Sequence, residues 1–105
     1  MQGYQITFYT QQDRMHGNTP LSQFLLDEAK RHGIRGATLN AGVEGIGHDG
    51  AVHAVNLFDL SDQPVQVTLV ISEDEMEKMM INLKREKIKV FYVKISVEFD
   101  TLGLD

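Results

Sequence analysis

The sequence predicts an α+β fold, an antiparallel sheet with two helices on one face in the order βαββαβ, with a long loop between the second and third strands. Two observations carry this. Four segments have the β-branched or aromatic content and the alternation of strands, and two others repeat apolar residues at helical spacing between recognisable start and stop signals.

Residues 4–10, YQITFYT, form the first strand, bounded by Gly3 and by the polar run from Gln11 to Asn18, which reads as a loop. Thr19-Pro20 starts the first helix, over 20–32: a hydroxyl N-cap precedes a proline whose missing N–H costs nothing at the first helical position. Leu21, Phe24, Leu25 and Ala29 give that helix one apolar face, and Gly33 is its stop. In the second strand, 34–43, Ala37, Leu39, Ala41 and Val43 alternate with Thr38, Asn40 and Gly42. Gly42, Gly45, Gly47 and Gly50 follow closely, and Asp49-Gly50 is a two-residue hairpin signal leading into an extended arm over 51–60. The third strand is 65–71, VQVTLVI. Ser72-Glu73-Asp74-Glu75 is a capping box opening a helix over 73–86, whose Met76, Met79, Met80 and Leu83 form an amphipathic stripe. In the last strand, 88–99, Phe91, Val93, Ile95, Val97 and Phe99 face one way and Tyr92, Lys94, Ser96 and Glu98 the other. This order of elements is the split βαβ, or ferredoxin-like, arrangement.

A chain of 105 residues is the size of one domain, here 1–105, and can bury a core without covalent staples. The absence of cysteine excludes disulfides, thiolate metal sites and cysteine nucleophiles. A net charge of −5 and one short basic run, Lys84, Arg85, Lys87 and Lys89, argue against nucleic acid as a partner. No stretch has the length and apolarity of a membrane span or the pattern of a secretion signal, so direct membrane insertion is not expected and the cytoplasm is the expected compartment.

Gly33-Ile34-Arg35-Gly36-Ala37-Thr38 followed by Gly45-Ile46-Gly47 resembles the PII-like signalling superfamily, and within it the uncharacterised branch called domain of unknown function 190. The resemblance extends to the junction from Val65 to Glu75. It implies a homotrimer with its sheets around a central axis, and a small-molecule effector, a nucleotide in some members, bound in clefts between subunits. It also implies a mobile loop, here about 44–64, that signals to a protein partner, with a membrane transporter one class of candidate. By motif position the ligand contacts are Thr38 and Gly47, with Gly45 in the same cleft; one extra residue between the motifs asks for a bulge at Gly42. Nucleotide-binding members carry a second glycine-rich loop before the last strand and an arginine pair after it. Here those places read Arg85-Glu86-Lys87-Ile88-Lys89 and Asp100-Thr101-Leu102-Gly103-Leu104-Asp105, so Lys87 and Lys89 are the remaining phosphate donors.

His48 and His53 flank the Asp49-Gly50 turn. A two-residue hairpin there pairs His48 with Ala51 and sets His53 diagonally on the same face, at about 7–8 Å, which suits a divalent metal though it supplies only two of the three or four ligands needed. A metal-responsive protein using these histidines is therefore the second reading, and a structural interaction module the third. The methionine stripe reads as core rather than as a partner surface, and the acidic run 73–77 as dipole-complementing residues of a helix first turn. His16 and His32 have no convergent partner in sequence. No catalytic motif is present, and enzyme activity is not expected. The segment 45–51 is too poor in large side chains to offset its ordering entropy and is expected to be ordered by ligand.

Overall fold

A computed structural model of the chain describes residues 1–34, 36–42, 44–46, 52–54 and 63–103. Strand β1 is Gln2–Gln11. Two short strands follow, β2 (Met15–His16) and β3 (Thr19–Pro20), then helix α1 (Leu21–Arg31) and strand β4 (Gly36–Ala41). Strands β5 (Glu44–Ile46) and β6 (Val52–Ala54) pair with each other. Strand β7 (Pro64–Ser72), helix α2 (Glu73–Arg85) and strand β8 (Phe91–Glu98) complete the chain. The main sheet has the order β4-β7-β1-β8 with every neighbouring pair antiparallel, the ferredoxin-like order.

Alternation along the strands sorts the sheet into two faces. Ile6 and Phe8 of β1 and Val67, Leu69 and Ile71 of β7 are at most 1% exposed. They meet Leu21, Leu25 and Ala29 of α1 and Met76, Met79 and Leu83 of α2 in one core. The methionine stripe is core, as its spacing requires, with Met80 packed partly buried at its margin. The capping box forms as read: Glu75 N–H donates to Ser72 Oγ at 3.3 Å, and Ser72 N–H donates to Glu75 Oε1 at 2.9 Å.

Several ends differ from the sequence reading, each for a local reason. Helix α1 begins at Leu21 with Pro20 as N-cap and no side-chain cap. Thr19 is instead paired with His16 in the β2–β3 ladder, and the Leu21 N–H donates to the Arg14 carbonyl at 2.8 Å, which does the work assigned to the threonine hydroxyl. The helix does stop at Gly33, whose φ of +73° completes a Schellman motif: Gly33 N–H donates to Lys30 O and Ile34 N–H to Ala29 O. Ile34 is therefore a cap residue, and β4 begins two residues later. Helix α2 ends in the same motif without a glycine. Lys87 takes φ +57°, with Lys87 N–H on Lys84 O and Ile88 N–H on Leu83 O, so β8 starts at Phe91 rather than at residue 88.

The faces of β8 alternate as expected, and the apolar series looks away from the helices. Phe91 and Ile95 are 69% and 53% exposed. Among the described residues, this open face carries Gly36, Thr38 and Asn40 of β4, Gln66, Thr68 and Val70 of β7, and Gln5, Thr7 and Tyr9 of β1. One row crosses all four strands as Thr38, Thr68, Thr7 and Val93, with the Thr7 and Thr68 hydroxyls 3.2 Å apart. The face is thus polar at its β4 edge and apolar at its β8 edge.

Candidate effector-binding site

The ends of four elements meet at one end of the sheet. Gly42 follows β4 and donates its N–H to the Pro64 carbonyl at 2.7 Å, in the same register that pairs Ala41 with Val65. The pairing is regular from Gly36 to Gly42; Val43, the next residue that a bulge at Gly42 would involve, lies outside the described residues. Gln12 N–H donates to Gln63 O, which closes β1 against β7 at that end. Lys89 lies two residues before β8, whose Phe91 pairs with Tyr9. The base of the 44–64 segment and the Lys87–Lys89 connection therefore share one end of the sheet.

They sit on opposite edges of it. Thr38 is on β4, and Lys87 and Lys89 are exposed beside β8. The two edges are three strand spacings apart, about 14 Å. One copy of the chain does not bring these predicted residues together.

What the fold does bring together is a basic group at the β8 edge. The β2–β3 hairpin folds over the end of α2, where His16 Nε2 is 3.5 Å from Glu86 Oε2 and the His16 ring packs on Phe24 at 4.4 Å. From the same hairpin the Arg14 guanidinium donates to the Lys89 carbonyl. Arg14, Lys89, Val90 and Phe91 line an open cleft of about 500 Å³. Arg14 is the residue that the sequence reading lacked: it lies in a run read as plain loop, 75 positions from Lys89, and only the hairpin aims it there.

Gly45 stands on β5 opposite His53 on β6. A two-residue turn at Asp49-Gly50 would set His53 opposite Ile46; the pairing is offset by one residue, with Val52 opposite Ile46. The register that was to bring His48 and His53 together is therefore not the one adopted. Gly47, His48 and the Asp49-Gly50 turn lie outside the described residues. Among the described residues no group of three His, Asp or Glu side chains is arranged to hold a metal.

The other two histidines each have a carboxylate neighbour, against the expectation that they stand alone. His32 Nε2 is 3.5 Å from Glu28 Oε2, and that oxygen also accepts from Arg31 at 2.8 Å and from the Asn82 amide of α2. Glu28 is 6% exposed, and this cluster ties α1 to α2 rather than facing a cleft.

The family model of domain of unknown function 190 (DUF190, "Uncharacterized ACR") matches residues 3–96. The chain belongs to that family. A UPF0166 protein of Aquifex aeolicus (strain VF5) is 28% identical over 80 residues, 75% of this chain and 76% of the relative. Among solved structures, a PII-like signaling protein of Thermus thermophilus superposes with a TM-score of 0.63 at 18% identity, over 92% of this chain and 90% of that one. CPII, a nitrogen regulatory PII-like protein of Thiomonas intermedia, solved with ADP, AMP and bicarbonate, superposes with a TM-score of 0.62 at 18% identity, over 92% of this chain and 89% of its own. These likenesses establish the PII-like, ferredoxin-like fold. No helix among the described residues of this DUF190 chain is long and apolar enough to cross a membrane.

Proposed function

We propose that this DUF190 chain is a PII-like regulatory sensor, not an enzyme, that assembles as a homotrimer and binds an anionic small-molecule effector, a nucleotide foremost, in clefts between subunits. Each cleft takes Thr38, Gly45 and Gly47 from one copy and Arg14, Lys87 and Lys89 from its neighbour. Segment 44–64 carries the signal to a protein partner, with a membrane transporter one class of partner.

The observation that carries this reading is the split of the donor groups. Thr38 stands on the β4 edge of the sheet, and Arg14 and Lys89 gather at its β8 edge, three strand spacings away. A head-to-tail contact puts the first edge of one copy against the second edge of the next, and such a heterologous contact closes into a ring when its rotation allows. Backbone N–H groups at glycines and the Arg14 guanidinium suit phosphate oxygens in particular. The ADP and AMP in the CPII structure support the same ligand class.

Mixing two variants tests the reading. Thr38→Lys and Lys89→Glu should each weaken ADP binding by calorimetry at least about tenfold, the scale of removing or opposing one charge-assisted hydrogen bond. When the two variants are unfolded together and refolded, clefts that join the intact Thr38 edge of one to the intact Lys89 edge of the other should bind ADP again. If mixing restores nothing, the site is not shared between copies. If a zinc titration instead stabilises the wild type and ADP does not, the metal-responsive reading replaces this one.

A further inference from the structure

We infer that a second ligand site lies on the helix side of the sheet, between the end of α2 and the start of β8, and that it takes a small carboxylate with an aromatic or branched aliphatic body. The cavity there has a volume of about 150 Å³. Helix α2 contributes Met80 and Leu83, β1 contributes Phe8, and the run into β8 contributes Ile88, Val90 and Tyr92. It exists because α2 packs chiefly on β1 and β7, which leaves the helix-side residues of the edge strand uncovered. The Phe8 and Tyr92 rings stand 6.0 Å apart at 49°, so part of the lining is already an aromatic wall.

Size and polarity select the ligand body. A pocket of roughly 150 Å³ lined mainly by aliphatic and aromatic groups, open on one side, has the size to take a benzene-sized body. Charge selects the rest. Lys84 also lines the cavity, is exposed, and makes no ion pair among the described residues. An ammonium beside an apolar cavity favours a ligand whose carboxylate stays at the mouth while its body enters, and disfavours the matching amine. The site shares only Val90 with the Arg14–Lys89 cleft, whose other lining residues are Arg14, Lys89 and Phe91, so it does not depend on the nucleotide reading.

The probe is sodium phenylacetate, titrated into the 105-residue chain while methyl and amide resonances are followed by NMR. Saturable shifts are expected at Met80, Leu83, Ile88 and Val90. Acetate should produce none, and benzylamine should bind at least about tenfold more weakly. Lys84→Glu, at an exposed position, should weaken phenylacetate by a similar factor; Met80→Trp, which fills the cavity, should abolish binding. If Met80→Trp does not fold, the Lys84→Glu comparison stands alone. Absence of saturable shifts, as when a side chain of a second copy occupies the cavity, overturns the inference. So do equal binding of benzylamine, indifference to Lys84→Glu, or shifts confined to Arg14 and Lys89.

Discussion

Lys87, placed in the proposed effector cleft, is also a residue whose backbone position works against stability. It occupies the left-handed position that ends α2, where Gly33 ends α1 with nearly the same φ and the same pair of hydrogen bonds. A side chain with a Cβ is strained there by roughly 1–2 kcal/mol, and glycine removes the strain at the cost of a more flexible unfolded chain. Lys87→Gly should therefore raise the unfolding free energy by up to about 1 kcal/mol in urea denaturation while weakening nucleotide binding. Stabilisation with unchanged binding would remove Lys87 from the ligand site. Gly3 gives the reverse case. A Cβ there would lie 2.1 Å from the Ile71 carbonyl oxygen and 2.8 Å from the Phe99 ring, because β1 is squeezed between β7 and β8 at that point. Gly3→Ala should lower stability by about 2 kcal/mol or more, since backbone must shift to admit it. Gly33 was legible as a stop because glycine there is the common solution. Lys87 was not, since nothing local marks a lysine as left-handed, and neither was Arg14, whose partner is distant in sequence.

Elements read well where their signals are local and poorly where a neighbour supplies the missing group. The Ser72–Glu75 capping box is wholly contained in four residues, and it forms as written. Ser72→Ala should cost about 1 kcal/mol by thermal or urea unfolding, with amide exchange accelerating in the first turn of α2. An unchanged midpoint would mean that solvent caps the helix equally well. The start of α1 has an equally clear sequence signal in Thr19-Pro20, yet the Arg14 carbonyl caps it. That carbonyl arrives only because residues 15–20 turn back as the β2–β3 hairpin, a pairing two residues long on each side that leaves no periodicity to detect. The same hairpin aims the Arg14 side chain at Lys89. A missed helix cap and a missed candidate site residue thus have one cause. The offset between β5 and β6 is similar: the Asp49-Gly50 signal fixes a turn in isolation, and the register of the flanking strands is set by their own pairing.

At the scale of the whole molecule the proposed assembly turns on the open sheet face. Its residues could be assigned to a face from alternation alone, but which strand would lie at the edge follows only from the order β4-β7-β1-β8. That order concentrates Phe91, Val93 and Ile95 on an edge strand, beside Tyr9, which is 39% exposed. Among the described residues β8 pairs on one side alone, with β1, and an edge strand with exposed large apolar residues is a template for association. Covering it with other copies of the chain removes this liability and, in the same contact, joins the two halves of each proposed cleft. The wild type should accordingly scatter light as about three times 11.9 kDa at micromolar concentration. Ile95 is 53% exposed and outside the helix-side core, so Ile95→Lys should leave the monomer fold intact by circular dichroism. Its ammonium would be buried without a partner in the assembled ring, a cost of several kcal/mol per copy that is large beside the usual stability of such contacts. The variant should therefore run as an 11.9 kDa monomer and lose nucleotide affinity although every donor residue is unchanged. A monomer that still binds ADP with wild-type affinity would place the whole site within one copy, and an Ile95→Lys chain that remains trimeric would move the subunit contact away from the open face.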